Sequence, residues 1–93
     1  LDGCSSSWAQ FSILCKDANH RELLISKLKD NGIPAVVYYI TPLHLQDVFN
    51  DLGYEVGSLP ITEDICSRVL SLPMNPYLAD DDIQEICNLI LGV

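Results

Sequence analysis

The side chains able to act as acid, base, nucleophile or ligand are few. The 93 residues hold two histidines, His20 and His44, four cysteines, Cys4, Cys15, Cys66 and Cys87, and three lysines, Lys16, Lys27 and Lys29. A working nucleophile needs a base within hydrogen-bond reach and a third group to orient that base. No local motif here supplies such a set. HExxH, GxSxG and a glycine-rich phosphate loop are missing from the sequence, and no cysteine pair has the CxxC spacing of zinc or redox sites. Asp80, Asp81 and Asp82 stand at the start of an apolar periodic segment. There they complement the positive end of a helix dipole more simply than they build a cation site. As an autonomous enzyme the chain reads as incomplete.

His44 and Tyr39 are the remaining candidates, in Tyr38-Tyr39-Ile40-Thr41-Pro42-Leu43-His44. A rigid proline after a strand can present a histidine at the strand's end, where loops carry ligand contacts. The spacing equally fits a buried or capping histidine. Tyr38 and Tyr39 point to opposite faces of a strand, so only one of them can line a given pocket. His20, beside Arg21 in a helix's first turn, is expected to be solvated.

The elements that must hold these residues follow from periodicity. Alternation from Trp8 to Cys15 predicts a first strand with Ala9, Phe11, Ile13 and Cys15 on its apolar face. Asn19 and Glu22 have capping spacing, Leu24 and Leu28 lie one turn apart, and Gly32 ends the helix so begun. Ala35 to Ile40, β-branched and aromatic, predicts a central strand. Leu45, Val48, Phe49 and Leu52 repeat at helical spacing before Gly53. Pro60 to about Arg68 predicts a third helix with proline in its first turn. Val69 to Leu72 predicts a third strand, stopped by Pro73. Ile83, Ile86, Cys87 and Ile90 predict a closing amphipathic helix that needs a sheet to dock on. The fold class is therefore α/β (α+β): a two-layer sandwich in which helices pack on a small, mainly antiparallel or mixed sheet.

A formal charge of -8 and 48% hydrophobic residues describe a folded acidic domain. Five dispersed cations cannot neutralise a phosphate backbone, so nucleic acid is not an expected partner. The longest apolar run, residues 35–40, is far below the roughly 20 residues that span a bilayer. Neither a membrane nor a secretory leader is expected, and the expected location is cytoplasmic. Cys15 and Cys87 sit in apolar periodic segments, which predicts reduced, mostly buried thiols. Residues 1–7, small and polar with no initiator methionine, read as a linker remnant before one domain over 8–93.

Taken in order, several stretches resemble one known family. They are Trp8-Ala9-Gln10-Phe11-Ser12-Ile13, Asn31-Gly32-Ile33-Pro34 leading to Tyr38-Tyr39, Pro42-Leu43-His44-Leu45-Gln46, Leu52-Gly53-Tyr54, and Leu70-Ser71-Leu72-Pro73-Met74 with Pro76. The set resembles the carboxy-terminal domain of the DegT/DnrJ-type (StrS-like) sugar aminotransferases over nearly the whole chain. The resemblance implies the small domain of an aspartate-aminotransferase-type fold. It also implies an enzyme that uses pyridoxal phosphate to move an amino group, usually from glutamate, onto a nucleotide-linked keto sugar. By the same resemblance the cofactor lysine lies in a large amino-terminal domain outside this chain, and the active site forms at a homodimer interface. None of Lys16, Lys27 or Lys29 matches that lysine, so no cofactor is expected on these residues alone. His44 aligns with a histidine that contacts the sugar nucleotide, and Tyr39 with the aromatic position before it. The sequence departs from the family pattern at three places: Ile40 replaces a proline, Asn75 a frequent histidine, and Ala79 a Ser or Thr cap.

Two other assignments use the same residues. One is a free-standing α/β ligand-sensing or interaction module without catalysis. The other is a vestigial relative with the fold but no transferase activity. With a charge of -8 the domain repels a diphosphate unless another domain or subunit supplies cations, so in the aminotransferase assignment the phosphate site is expected to lie mostly elsewhere.

Overall fold

Asp17 begins the first helix. Its backbone is extended (φ -155°, ψ 179°), and its Oδ1 accepts the His20 amide at 2.8 Å. The His20 ring reaches back, its Nδ1 accepting the Lys16 amide at 3.1 Å. The imidazole stands where a capping box has Glu or Gln, but it takes the amide one residue before the cap instead of the cap's own. The cap is therefore Asp17 rather than Asn19, and His20 is a half-buried capping residue rather than a solvated one. The helix, α1 (Ala18–Asp30), ends where Gly32 turns left-handed (φ 73°). The Gly32 amide then donates to Lys29 and the Ile33 amide to Leu28, at 2.9 and 2.8 Å. This paired closure satisfies carbonyls that the helix leaves open.

The computed structural model describes residues 1–93, with the order β1 (Phe11–Leu14), α1, two 3-10 turns (Leu43–Leu45 and Asp47–Leu52), α2 (Pro60–Arg68), β2 (Val69–Leu72) and α3 (Asp80–Leu91). The sheet has two antiparallel strands, with Phe11 opposite Leu72 and Leu14 opposite Val69. Ser12 and Ser71 face each other, and their hydroxyls are 2.8 Å apart. Residues 8–10 stay outside β1, and everything from Leu1 to Gln10 is exposed.

The expected central strand over 35–40 does not form. Only Val36 pairs, exchanging both backbone hydrogen bonds with Ser71 at 3.0 and 2.8 Å. The next rung on one side would join Pro34 to Pro73, neither of which has an amide hydrogen to give. On the other side it would reach Val69, whose amide already closes α2 on Ile65. The ladder is blocked at both ends, and Tyr38, Tyr39 and Ile40 run on exposed. The helix expected over 45–52 is likewise replaced by the two 3-10 turns, separated by an extended Gln46. Asp, Val, Phe and Asn dominate the second turn, and all are weak helix formers.

The core is Cys15, Leu24, Leu28 and Leu70, with Ile13, Ile33, Val37 and Ile90 among the half-buried residues around it. α1 lies against α2 and α3 and brings its leucines onto β2. Two guanidinium groups tie the elements together: Arg21 donates to the Cys66 carbonyl at 2.7 Å and Arg68 to the Cys15 carbonyl at 2.9 Å. Of the apolar stripe on α3 only Ile86 is fully buried, while Cys87 is exposed. Cys15 is buried and Cys66 half-buried, but Cys4 and Cys87 face solvent, so the thiols are not mostly buried.

The shape is open. The Cα radius of gyration is 15.9 Å, against about 12 Å for a closed globule of this length. The accessible surface is 7056 Å², against about 5,350 Å² for a compact monomer of this mass. Residues 50–62 are all exposed, and Val48, Leu52, Val56 and Ile61 among their neighbourhood present apolar side chains to solvent.

Two stability changes follow. Leu28 is 0% exposed, so Leu28→Ala should cost about 2–5 kcal/mol in denaturant unfolding of the chain, while Ile61→Ala should stay within about 0.5 kcal/mol. At α3 the Ala79 amide donates to Asp82 at 3.3 Å, but Ala79 offers no oxygen in return. Ala79→Ser supplies it and should raise stability by about 1 kcal/mol in the same measurement.

Candidate functional site

Pro42 and His44 are buried although the segment around them is open. The 3-10 turn at Leu43–Leu45 directs the imidazole inward, leaving 6% of its side chain exposed. Its Nε2 lies 3.3 Å from Glu63 Oε2, and the Tyr54 ring meets it edge-on, with centroids 5.9 Å apart. Glu63 sits in the first turn of α2 and is 17% exposed at its side chain. Oε1 of Glu63 accepts the Gly57 amide at 2.8 Å, and Oε2 accepts the Leu59 amide at 3.1 Å. One carboxylate thus joins the turn carrying His44 to the loop that enters α2. Gly57 has φ 91°, a left-handed conformation that lets its amide point at the carboxylate and that a side chain would strain.

The Gly57 hydrogen bond is the largest influence holding the Glu63 carboxyl below its ordinary range. Partial burial opposes it, and the Leu59 amide and His44 add to it. Charge-assisted bonds to backbone amides stabilise the ionised form, which is why the direction is downward. Cys15 moves the other way: burial raises its thiol above the usual value, with Arg21 and Arg68 opposing. A buried, raised thiol is a poor nucleophile.

A hollow of about 270 Å³ adjoins the imidazole, lined by Leu43, His44, Phe49, Leu52, Tyr54 and Leu59 among others. A larger one of about 440 Å³ lies between β2 and α3, walled by Phe11, Leu72, Met74, Ile83 and Ile86, and shares no residue with the first. Its one ionisable group is Cys87. Tyr39 is 62% exposed and touches neither hollow, whereas Tyr38 lines a third of about 120 Å³ beside Val36, Pro73 and Met74. His44 and Tyr39 therefore share a segment but not a pocket. No three His, Cys, Asp or Glu side chains gather in a way that could hold a metal ion. No helix is long and apolar enough to cross a membrane.

A phosphorylated aldehyde cofactor held as an imine needs a lysine inside a cavity and cationic or amide donors for its phosphate. Lys16, Lys27 and Lys29 line none of the three hollows described above, and Lys27 instead lies against the end of α3 near Gly92. The residues of this chain do not by themselves fit such a group.

Glu63 is the site residue that the sequence pattern did not single out. Its signal was an acidic residue three positions after Pro60, where a side chain can reach back over the helix start.

Residues 2–91 match the DegT/DnrJ/EryC1/StrS aminotransferase family, and the chain belongs to that family. Among solved structures, a DegT DnrJ EryC1 StrS aminotransferase from Brucella abortus superposes with a TM-score of 0.82 at 42% identity, over 99% of this chain and 24% of that one. A pleiotropic regulatory protein from Geobacillus stearothermophilus is 41% identical over 97% of this chain and 23% of its own length. The UDP-2-acetamido-2-deoxy-3-oxo-D-glucuronate aminotransferase of Pseudomonas aeruginosa is 35% identical over 88% of this chain and 21% of its own length. The chain thus spans 18% to 24% of the length of the relatives it matches.

The lowered Glu63 carboxyl sets a pH dependence. A group whose folded value lies below its unfolded one contributes stability that is present above the unfolded value and lost as pH falls through the folded one. On acidification below 4.5, the Gly57 and Leu59 amides should lose exchange protection before those of α1, as hydrogen exchange followed by NMR can show. Equal protection loss in both regions would contradict the assignment.

Proposed function

We propose that this chain is the substrate-side domain of a sugar aminotransferase, with residues 1–7 a connecting segment and 8–93 the domain. The whole protein moves an amino group from glutamate to a keto sugar carried on a nucleoside diphosphate. Pyridoxal phosphate supplies the electron sink for that chemistry when bound, in a large amino-terminal domain that also provides the lysine and the phosphate contacts. The observation that carries the reading is the match to the Brucella enzyme at 42% identity along 99% of this chain. Relatives whose names specify UDP-linked keto sugars support the substrate class.

The open surface fits this division of labour. A domain with roughly 1,700 Å² more exposed area than a closed globule is suited to being covered by a large domain and by a second copy in a homodimer. Within the domain, His44 and Tyr39 are the contacts to the sugar nucleotide. The exposed Tyr39 ring can stack on or hydrogen-bond to the ligand, and the His44 ring can meet it from the wall of the adjoining hollow. Neither nucleic acid nor a membrane is among the proposed partners, and the proposed location is the cytoplasm.

A second reading draws on the Geobacillus relative, whose name is regulatory: a domain that binds a nucleotide sugar without turning it over. One assay separates the two. The full-length protein, given glutamate, cofactor and a UDP-linked keto sugar series, should release 2-oxoglutarate and an amino sugar, and the 93-residue chain alone should give no turnover. Binding of a nucleotide sugar with no donor consumed across the series would favour the regulatory reading. Tyr39→Ala should raise KM for the sugar about tenfold, the worth of one stacking or hydrogen-bonded contact, with the donor KM unchanged.

A further inference from the structure

Glu63 makes three hydrogen bonds with one carboxylate, and a carboxylate can only accept. The His44 nitrogen facing it at 3.3 Å must therefore carry the hydrogen. The other ring nitrogen, Nδ1, has no hydrogen-bond partner within the chain and is not among its fully buried unpartnered atoms. In a neutral ring that nitrogen is an acceptor. Tyr54 closes on the ring edge-on and limits its rotation. The ring is thus held by one nitrogen and unpartnered at the other.

We infer that Glu63 is a positioning residue: it locks His44 in the Nε2–H tautomer and turns Nδ1 outward as an acceptor for a hydroxyl or amide hydrogen of the sugar. This rests on the proposed function above for the ligand class, though not for the tautomer. It also places His44 as a reader of a neutral donor rather than of the diphosphate. The same carboxylate pins the amides of Gly57 and Leu59. The loop over 54–59 and the imidazole are thereby set in one geometry, as pre-organised sites require. Gln at position 63 could keep the His44 and Leu59 bonds on its oxygen and lose only that of Gly57, so the informative change is Glu63→Leu, which removes every acceptor.

The test uses the full-length protein with 15N-labelled histidine, with His44→Asn to assign the signal. At pH 8 the wild type should show a protonated Nε2 and an unprotonated Nδ1, and Glu63→Leu, which removes the acceptor, should shift the ring toward a mixture of tautomers. A protonated Nδ1, or an averaged ring, in the wild type would overturn the proposal whatever the activity. A kinetic cycle supplies the second reading. Glu63→Leu should lower kcat/KM for the keto sugar about five- to tenfold, through KM, and leave the glutamate half-reaction unchanged. Placed on His44→Asn it should add nothing, because Glu63 acts through the ring. An equal loss on both backgrounds means that Glu63 supports the fold alone and overturns the proposal. The Nε2–H signal in a protein that transfers no amino group would uphold the positioning and reject the aminotransferase reading.

Discussion

Leu70 on β2, meeting Leu24 and Leu28 of α1 beside Cys15, is the contact on which the rest of the chain depends. Leu28 and Leu70 are completely shielded from water and Leu24 nearly so. A core this small contributes a few kcal/mol at best once chain entropy is subtracted. Polar ties therefore carry an unusual share of the architecture. Arg21 and Arg68 reach from α1 and α2 to backbone carbonyls on neighbouring segments, and the 2.6 Å contact of Arg68 with Asp64 holds that side chain in place. The acidic surface has few cations, and two of the five are committed to this bracing.

The helices were legible because their signals are local. Pro60 in the first turn of α2, the aspartates opening α3, and Gly32 closing α1 each act within a few residues of the end they define. Where the cap of α1 differed, the cause was also local: Asp17 and His20 have the same three-residue spacing as Asn19 and Glu22, and spacing alone does not choose between them. Residues 35–40 failed as a strand for a reason no periodicity contains. Pairing there depends on which amide hydrogens are free on a distant partner, and Pro73 and the helix-committed Val69 leave only one rung.

The site divides in the same way. His44 and Tyr39 stood out by their place after a proline-marked turn and by resemblance to the aminotransferases, and the fold puts them on one open segment. Glu63 did not stand out, because its importance comes from what the fold brings to it: an imidazole 19 residues upstream and two amides of the preceding loop. A glutamate near a helix start is ordinary in sequence. Only its three simultaneous partners distinguish it.

The single Val36–Ser71 rung has a thermodynamic consequence. Residues 38–59 hang between that rung, where Val37 packs on the core, and the Glu63 carboxylate, with few buried apolar contacts of their own, so they form a strap secured at its two ends. Such a strap can come loose sub-globally while α1 and the paired strands persist. The polypeptide therefore has two tiers of stability, and the lower one contains Tyr39 and His44. A ligand seated against Tyr39 and His44, as proposed, would also complete the folding of the part that receives it.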